Sequence, residues 1–279
     1  MTSNQDNLLG QVVVGVGGSE RSFIALRYAS ELARAGGGKL ESLIVEEPVV
    51  PLGLALARGG ELQSLIERGE RERHRVAGEI ERNIRRTAAE HDFKVDITRS
   101  QGSVTDCIVE ASDRASLLVL GKRGCREDSA GLLGSNTELI VRRTHKPVLL
   151  TPRGYRPLQG ILLALGGKDA GPVVLETGKS LADALSVSIE VFTVSRDPDR
   201  LKRIQEGARA ALADARHEVR YTGSVGHVAE TIAGYARPDH VLVMGAYGHS
   251  RLYRMTLGSV TEQVMRAARG PVLLCAKHG

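Results

Sequence analysis

The sequence predicts an α/β fold written twice, as two tandem doubly wound parallel sheets of five strands each. Three observations lead there. The chain repeats itself, each copy alternates short apolar runs with helix-period stretches, and the apolar residues are mostly Leu, Val, Ile and Ala. Of 279 residues 42% are hydrophobic but only 3% aromatic, with no Trp. That usage suits buried parallel strands covered by Ala- and Leu-rich helices.

The repeat is direct. "QVVVGVGGSERSFIALRYASELARAGGGKLESLIV" (11–45) aligns without gaps on "GILLALGGKDAGPVVLETGKSLADALSVSIEVFTV" (160–194), so that Gly17 falls on Gly166 and Val45 on Val194. Further on, "GSVTDCIVEA" (102–111) falls on "GHVAETIAGY" (226–235), and Gly121 on Gly245. Between the matched stretches the first copy is longer by 25 residues. The join lies near "TPRGYRPLQG" (151–160), whose Pro and Gly suit a linker, which gives domains of 1–154 and 155–279.

Taken in order, the strand candidates of the first copy are 11–16, 40–45, 94–98, 116–120 and 147–151. Helical patterns fill the gaps. The longest covers 61–90, where Leu62, Leu65, Ile66, Val76, Ile80 and Ile84 fall near one face. Its many Glu and Arg residues read as a solvated face laced with i,i+4 pairs. The second copy repeats the scheme with strands at 160–165, 188–194, 217–222, 239–244 and 271–275. Right-handed crossovers then limit each copy to a doubly wound sheet, whose ligands bind beyond the carboxyl ends of the strands where their order reverses.

Composition excludes several classes. The formal net charge of +5 comes from 38 basic and 33 acidic residues interspersed, a mild excess that favours anionic ligands without marking a nucleic-acid binder. The scarcity of aromatics also argues against a stacking platform for single-stranded nucleic acid. The three cysteines, Cys107, Cys125 and Cys275, form neither a disulfide framework nor a CxxC pair. The chain opens "MTSNQDNLLG", without the regions of a signal peptide, and no apolar run approaches the ~20 residues of a membrane span. The expected compartment is the cytoplasm.

The chemistry concentrates in two segments that follow the fourth strand of each copy. "GKRGCREDSAGLLGSNTE" (121–138) and "GAYGHSRLYRMTLGSVTE" (245–262) share the pattern G-x2-G-x9-G-S. Its members are Gly121, Gly124, Gly134 and Ser135, then Gly245, Gly248, Gly258 and Ser259. Glycine lets backbone amides approach a phosphate, successive amides make an anion nest, and a helix N-terminus adds its dipole. The nine intervening residues include Arg126 in the first copy and His249, Arg251 and Arg254 in the second. A ligand-free reading competes: Ser135 with Glu138, and Ser259 with Glu262, each fit a capping box.

These residues resemble the universal stress protein family in its tandem two-domain form, over nearly the whole chain. "LGSVTEQV" matches that family's ATP-binding signature closely. The resemblance implies strand order 3-2-1-4-5 in each half. It implies adenine-nucleotide binding, with ATP (with or without Mg2+) as the ligand, through Gly121, Gly124, Gly134 and Ser135 in the first half. In the second, Gly245, Gly248, Gly258, Ser259 and Val260 take that role. Val45 and Val194 match the residue whose backbone faces adenine. It also implies that the halves pair about a pseudo-twofold axis, with further homodimerisation left open. One departure stands out: members that bind ATP carry Asp in a D-x-S pattern after the first strand, where this chain has Gly17 and Gly166. Losing that carboxylate weakens or retunes binding of the nucleoside, unless Asp169 substitutes. Because the second half keeps Val260 where the first has Asn136, it is the favoured site.

Other signals fall away. "TGKS" (177–180) lacks the first glycine of a P-loop, since residue 173 is Val, and the repeat puts Gly178 inside a helix. The eight histidines show no metal-ligand spacing. Cys125 beside Lys122, Arg123 and Arg126 reads as a passive thiol. No nucleophile–base–acid grouping is visible among neighbouring residues. The leading expectation is thus a nucleotide-binding stress-response module without dedicated chemistry. A slow ATPase or phosphoryl-transfer enzyme, and a scaffold that has lost nucleotide binding, stand as alternatives.

Overall fold

In the computed structural model, which describes residues 7–48, 60–122, 134–166, 171–246 and 258–275, strands and helices alternate throughout. The first half runs β1 (Gln11–Gly15), α1 (Glu20–Ala35), β2 (Lys39–Glu46), α2 (Gly60–Glu90), β3 (Asp96–Gln101), α3 (Val104–Ser112), β4 (Leu117–Gly121), α4 (Ser135–Arg143) and β5 (Val148–Thr151). The second runs β6 (Gly160–Leu165), α5 (Gly171–Leu185), β7 (Ser188–Ser195), α6 (Pro198–Ala211), β8 (Val219–Val225), α7 (Val228–Tyr235), β9 (His240–Gly245), α8 (Ser259–Ala267) and β10 (Val272–Cys275). The expected elements are all present. β3 and β8 sit two to three residues later than expected, because both are edge strands with few apolar residues. Their register follows hydrogen bonding to β2 and β7 (Glu41 opposite Asp96, Ile189 opposite Val219) rather than burial.

One ten-stranded sheet results, in the order β3-β2-β1-β4-β5-β10-β9-β6-β7-β8. Each half has the order 3-2-1-4-5, and its strands are parallel. The halves meet where β5 and β10 pair antiparallel, with Val148 opposite Leu274, Leu149 opposite Leu273 and Leu150 opposite Val272. Leu149 and Leu273 are equivalent residues of the repeat, so a local two-fold passes between them. Along each strand, alternate residues enter opposite layers: Val12 and Val14 face one core, Val13 the other. The first core gathers Leu26 of α1, Ile84 of α2, Leu181 of α5 and Ala208 of α6. The second gathers Ile108 of α3, Ile140 of α4, Ile232 of α7 and Val264 of α8. Gly178 lies within α5, where an added Cβ would come within 2.2 Å of the Leu163 side chain. Its neighbour Lys179 pairs with Asp214 at 2.5 Å, so "TGKS" is helix packing and a surface ion pair.

α2 corrects one expectation. Ala77, Ile80, Ile84 and Ala88 are buried, but Ile66 and Val76 are more than a third exposed. A 31-residue helix is about 46 Å long, whereas the eight residues of β2 span about 26 Å. Only the C-terminal half of the helix can lie over the strands. Its outer face carries Arg75 with Glu72 and Glu79, Arg85 with Glu81, and Arg71 with Glu67, as the charge pattern implied.

The connector 152–159 is held to α1. The Arg156 amide donates to Tyr28 Oη at 3.1 Å, the Leu158 amide to Glu31 at 3.0 Å, and Tyr155 Oη to Glu31 at 3.2 Å. The Arg27 guanidinium lies 3.9 Å from the centre of the Tyr155 ring. The stretch that reads as a linker is therefore a strap.

Candidate functional site

A cleft of about 390 Å³ opens at the carboxyl ends of β6 and β7, beside the point where the strand order reverses between β6 and β9. Gly166, Val194 and Ser195 come from the strand ends. Each remaining wall is the beginning of a helix. α6 starts at "DPD": Asp197 is the N-cap, accepting from the amides of Asp199 and Arg200, and Pro198 fixes the first helical residue. That start puts Arg200 in the first turn, where its Nη2 donates to the Gly166 carbonyl at 3.1 Å. α7 contributes His227 and Val228 and is docked by Tyr235, whose ring stacks on Phe192 at 4.0 Å. Tyr235 Oη also donates to Glu190, which raises the phenol's pKa. α8 contributes Val260 and Gln263.

The cleft is ringed by positive ends. Helix N-termini carry unpaired amides and partial positive charge, and three of them border it. Arg196 and Arg200 add two guanidinium groups. Arg196 Nη2 lies 3.1 Å from His227 Nδ1, a contact that suits a neutral imidazole accepting from the guanidinium. Neither arginine has an ion-pair partner among the described residues. The geometry can hold an anion against a partly apolar floor.

The glycine segments are closed by a residue that the spacing did not single out. Thr261 Oγ1 donates to the Gly245 carbonyl at 3.2 Å, and Thr137 Oγ1 to Gly121 at 3.1 Å. The repeated S-x-T-E was the available signal. The capping boxes are absent. Gly258 and Gly134 are the N-caps, without side-chain cap bonds, so Ser259 and Ser135 are already the first helical residues. Glu262 and Glu138 pair instead with Arg266 and Arg142, one turn on, at 2.6 and 2.7 Å.

Gly166, Val194 and Val260 are thus brought together, with Gly245, Gly258 and Ser259 at the adjoining ends of β9 and α8. Gly124, Gly248, Asp169, Cys125, Arg126, His249, Arg251 and Arg254 lie outside the described residues. In the first half Val45, Gly121, Gly134 and Ser135 occupy equivalent positions, but the surroundings differ. Asn136 accepts a hydrogen bond from Thr105 Oγ1 at 3.4 Å where the second half has Val260. The residues after Val45 are Glu46 and Glu47, against Ser195 and Arg196. Glu46 is buried and lies 3.1 Å from His74 and 3.7 Å from Arg99. Lys122 leaves the first segment altogether: its Nζ donates to the carbonyls of Ala268 and Gly270 at 2.5 and 3.1 Å, at the C-terminal end of α8. Sequence reading missed Arg196, Arg200 and His227 as cleft residues because nothing local separates them from ordinary helix starts.

Among the described residues there is no group of three or more potential metal ligands, and no helix is long and apolar enough to cross a membrane. A sheet of this order, wound on both faces and cleft at its crossover, defines a doubly wound α/β protein. The model of the universal stress protein family matches residues 9–152 and 196–276, and the chain belongs to that family. A universal stress protein of Synechocystis is 32% identical over 185 residues, 64% of this chain and 64% of its own length. The chain thus aligns to just under two thirds of that relative. One from Mycolicibacterium smegmatis is 25% identical over 284 residues, covering 94% of this chain and 96% of its own. The crystal structure of a universal stress protein from Archaeoglobus fulgidus superposes with a TM-score of 0.70 at 20% identity, over 98% of this chain and all of that one. The fold is shared.

Proposed function

We propose that the protein is a nucleotide-binding regulatory module, with an adenine nucleotide bound in the cleft of its second half. The observation that carries this reading is the cleft itself: the N-terminus of α8 faces it beside the glycine segment, and Val194 closes its inner wall. The phosphates would lie against the amides of Gly258, Ser259 and Val260, where the helix dipole favours negative charge. Adenine would lie against the backbone of Val194. The same reading treats 1–154 and 155–279 as separate binding units of unequal quality. Asn136 and Glu47 make the first the poorer one.

Calorimetry on the purified chain with ATP, ADP and AMP, each with and without Mg2+, tests the proposal. Saturable binding is expected, and Val260→Glu should weaken it about ten-fold or more by placing a carboxylate beside the phosphates. No heat with any of the three at millimolar concentration, from protein shown to be folded, would favour the scaffold alternative. Phosphate release above that of the Val260→Glu variant would favour the ATPase.

A further inference from the structure

We infer that the second-half cleft is selective for an adenine nucleotide carrying a further phosphate on its ribose, held by Arg200 and Arg196. The inference rests on the nucleotide reading above and names the ligand class of that same cleft. A ribose with free hydroxyls is commonly held by a carboxylate, which accepts from them; a ribose phosphate needs a cation instead, and arginine meets it with a fork of N–H donors. Among the described residues of this cleft, Gly166 stands after the sixth strand, and Arg200 and Arg196 line the same side.

Three observations converge. The position after the sixth strand is Gly166, and it is crowded: a Cβ there would lie 3.2 Å from the Val194 carbonyl and 3.6 Å from Val228 Cγ1. At the same place Arg200, which lines the cleft, is anchored by one nitrogen to the Gly166 carbonyl at 3.1 Å. Arg196 lines the same side, its Nη2 set by His227. Two carboxylates also line the cleft. Asp197 is taken up by the amides of Asp199 and Arg200, and Glu230 stands exposed in the first turn of α7. Neither reaches an ion-pair distance from the two arginines.

The first half provides an internal contrast. A Cβ at Gly17 would meet nothing within 4 Å, and the residue two past Val45 is Glu47 rather than arginine. Any ribose-phosphate preference therefore belongs to the second half. The cleft's volume of about 390 Å³ is within the ordinary range for a small-molecule site.

Competition calorimetry on the full chain would compare adenosine 3′,5′-bisphosphate and adenosine 2′,5′-bisphosphate with AMP, ADP and ATP at fixed ionic strength. One bisphosphate is expected to bind about ten-fold or more tightly than ADP, from one or two charge-assisted hydrogen bonds. In Arg200→Gln and in Arg196→Gln the ratio of bisphosphate affinity to ADP affinity should fall toward one. Bisphosphate affinities equal to that of ADP, or a preference that survives both substitutions, would overturn the selectivity while leaving nucleotide binding intact. A folded protein that takes none of the five would remove both readings together.

Discussion

Lys122 follows Gly121 at the end of β4, and its ammonium group crosses to the other half to cap the C-terminal carbonyls of α8. Burial pushes its pKa down to about 8. Below that pH the folded and unfolded chains both hold the proton, and the full cost of burying the charge stands. Between about 8 and the ordinary lysine value only the unfolded chain keeps it, so unfolding becomes harder as pH rises through this window. The stability difference between wild type and Lys122→Met, measured by denaturant titration from pH 7 to about pH 10, should therefore move in favour of the wild type as pH rises. A difference that is flat with pH would mean that the helix-end carbonyls already keep the ammonium charged. Sequence reading placed Lys122 among the cations of the first glycine segment. Its partners lie 146 and 148 residues away, beyond any local pattern. The glycines and serines at the segment ends were legible because their spacing occurs twice.

At the scale of single elements, α2 shows what periodicity can and cannot say. The apolar stripe of 61–90 correctly marks a helix, but period alone does not reveal how far the underlying strands reach. Ile84 is fully buried, while Ile66 and Val76 are more than a third exposed. Ile84→Ala is expected to cost about 2–5 kcal/mol of unfolding free energy, and Ile66→Ala less than about 0.5 kcal/mol. Chemical denaturation of the two variants separates these outcomes; equal losses would place both ends of the helix in the core. The surface ion pairs along α2 are solvent-screened and add little to stability. The cleft's helices were legible as helices in the same way. Their convergence was not, because it depends on three crossovers returning to one edge of the sheet.

For the whole molecule, the repeat, the strand count and the two-layer cover of the sheet could all be read from the chain. Pairing of the halves about a two-fold axis was expected too, but the strands that make the joint were not. "VLLT" and "VLLC" look like any buried strand, and nothing in them specifies an antiparallel partner. Once β5 and β10 are paired through equivalent residues, a prediction follows for residues 1–154 expressed alone. Their β5 edge would be open and apolar, and it should pair with a second copy in the register that it now shares with β10. Sedimentation at increasing concentration is expected to show a dimer; a persistent monomer would mean that the joint depends on β10 and Lys122's grip on α8. The antiparallel joint has one more consequence. Because every strand of the second half runs against those of the first, the carboxyl ends of the two halves, and with them the two candidate entrances, open on opposite rims of the molecule. A surface or partner covering one rim leaves the other open to solvent.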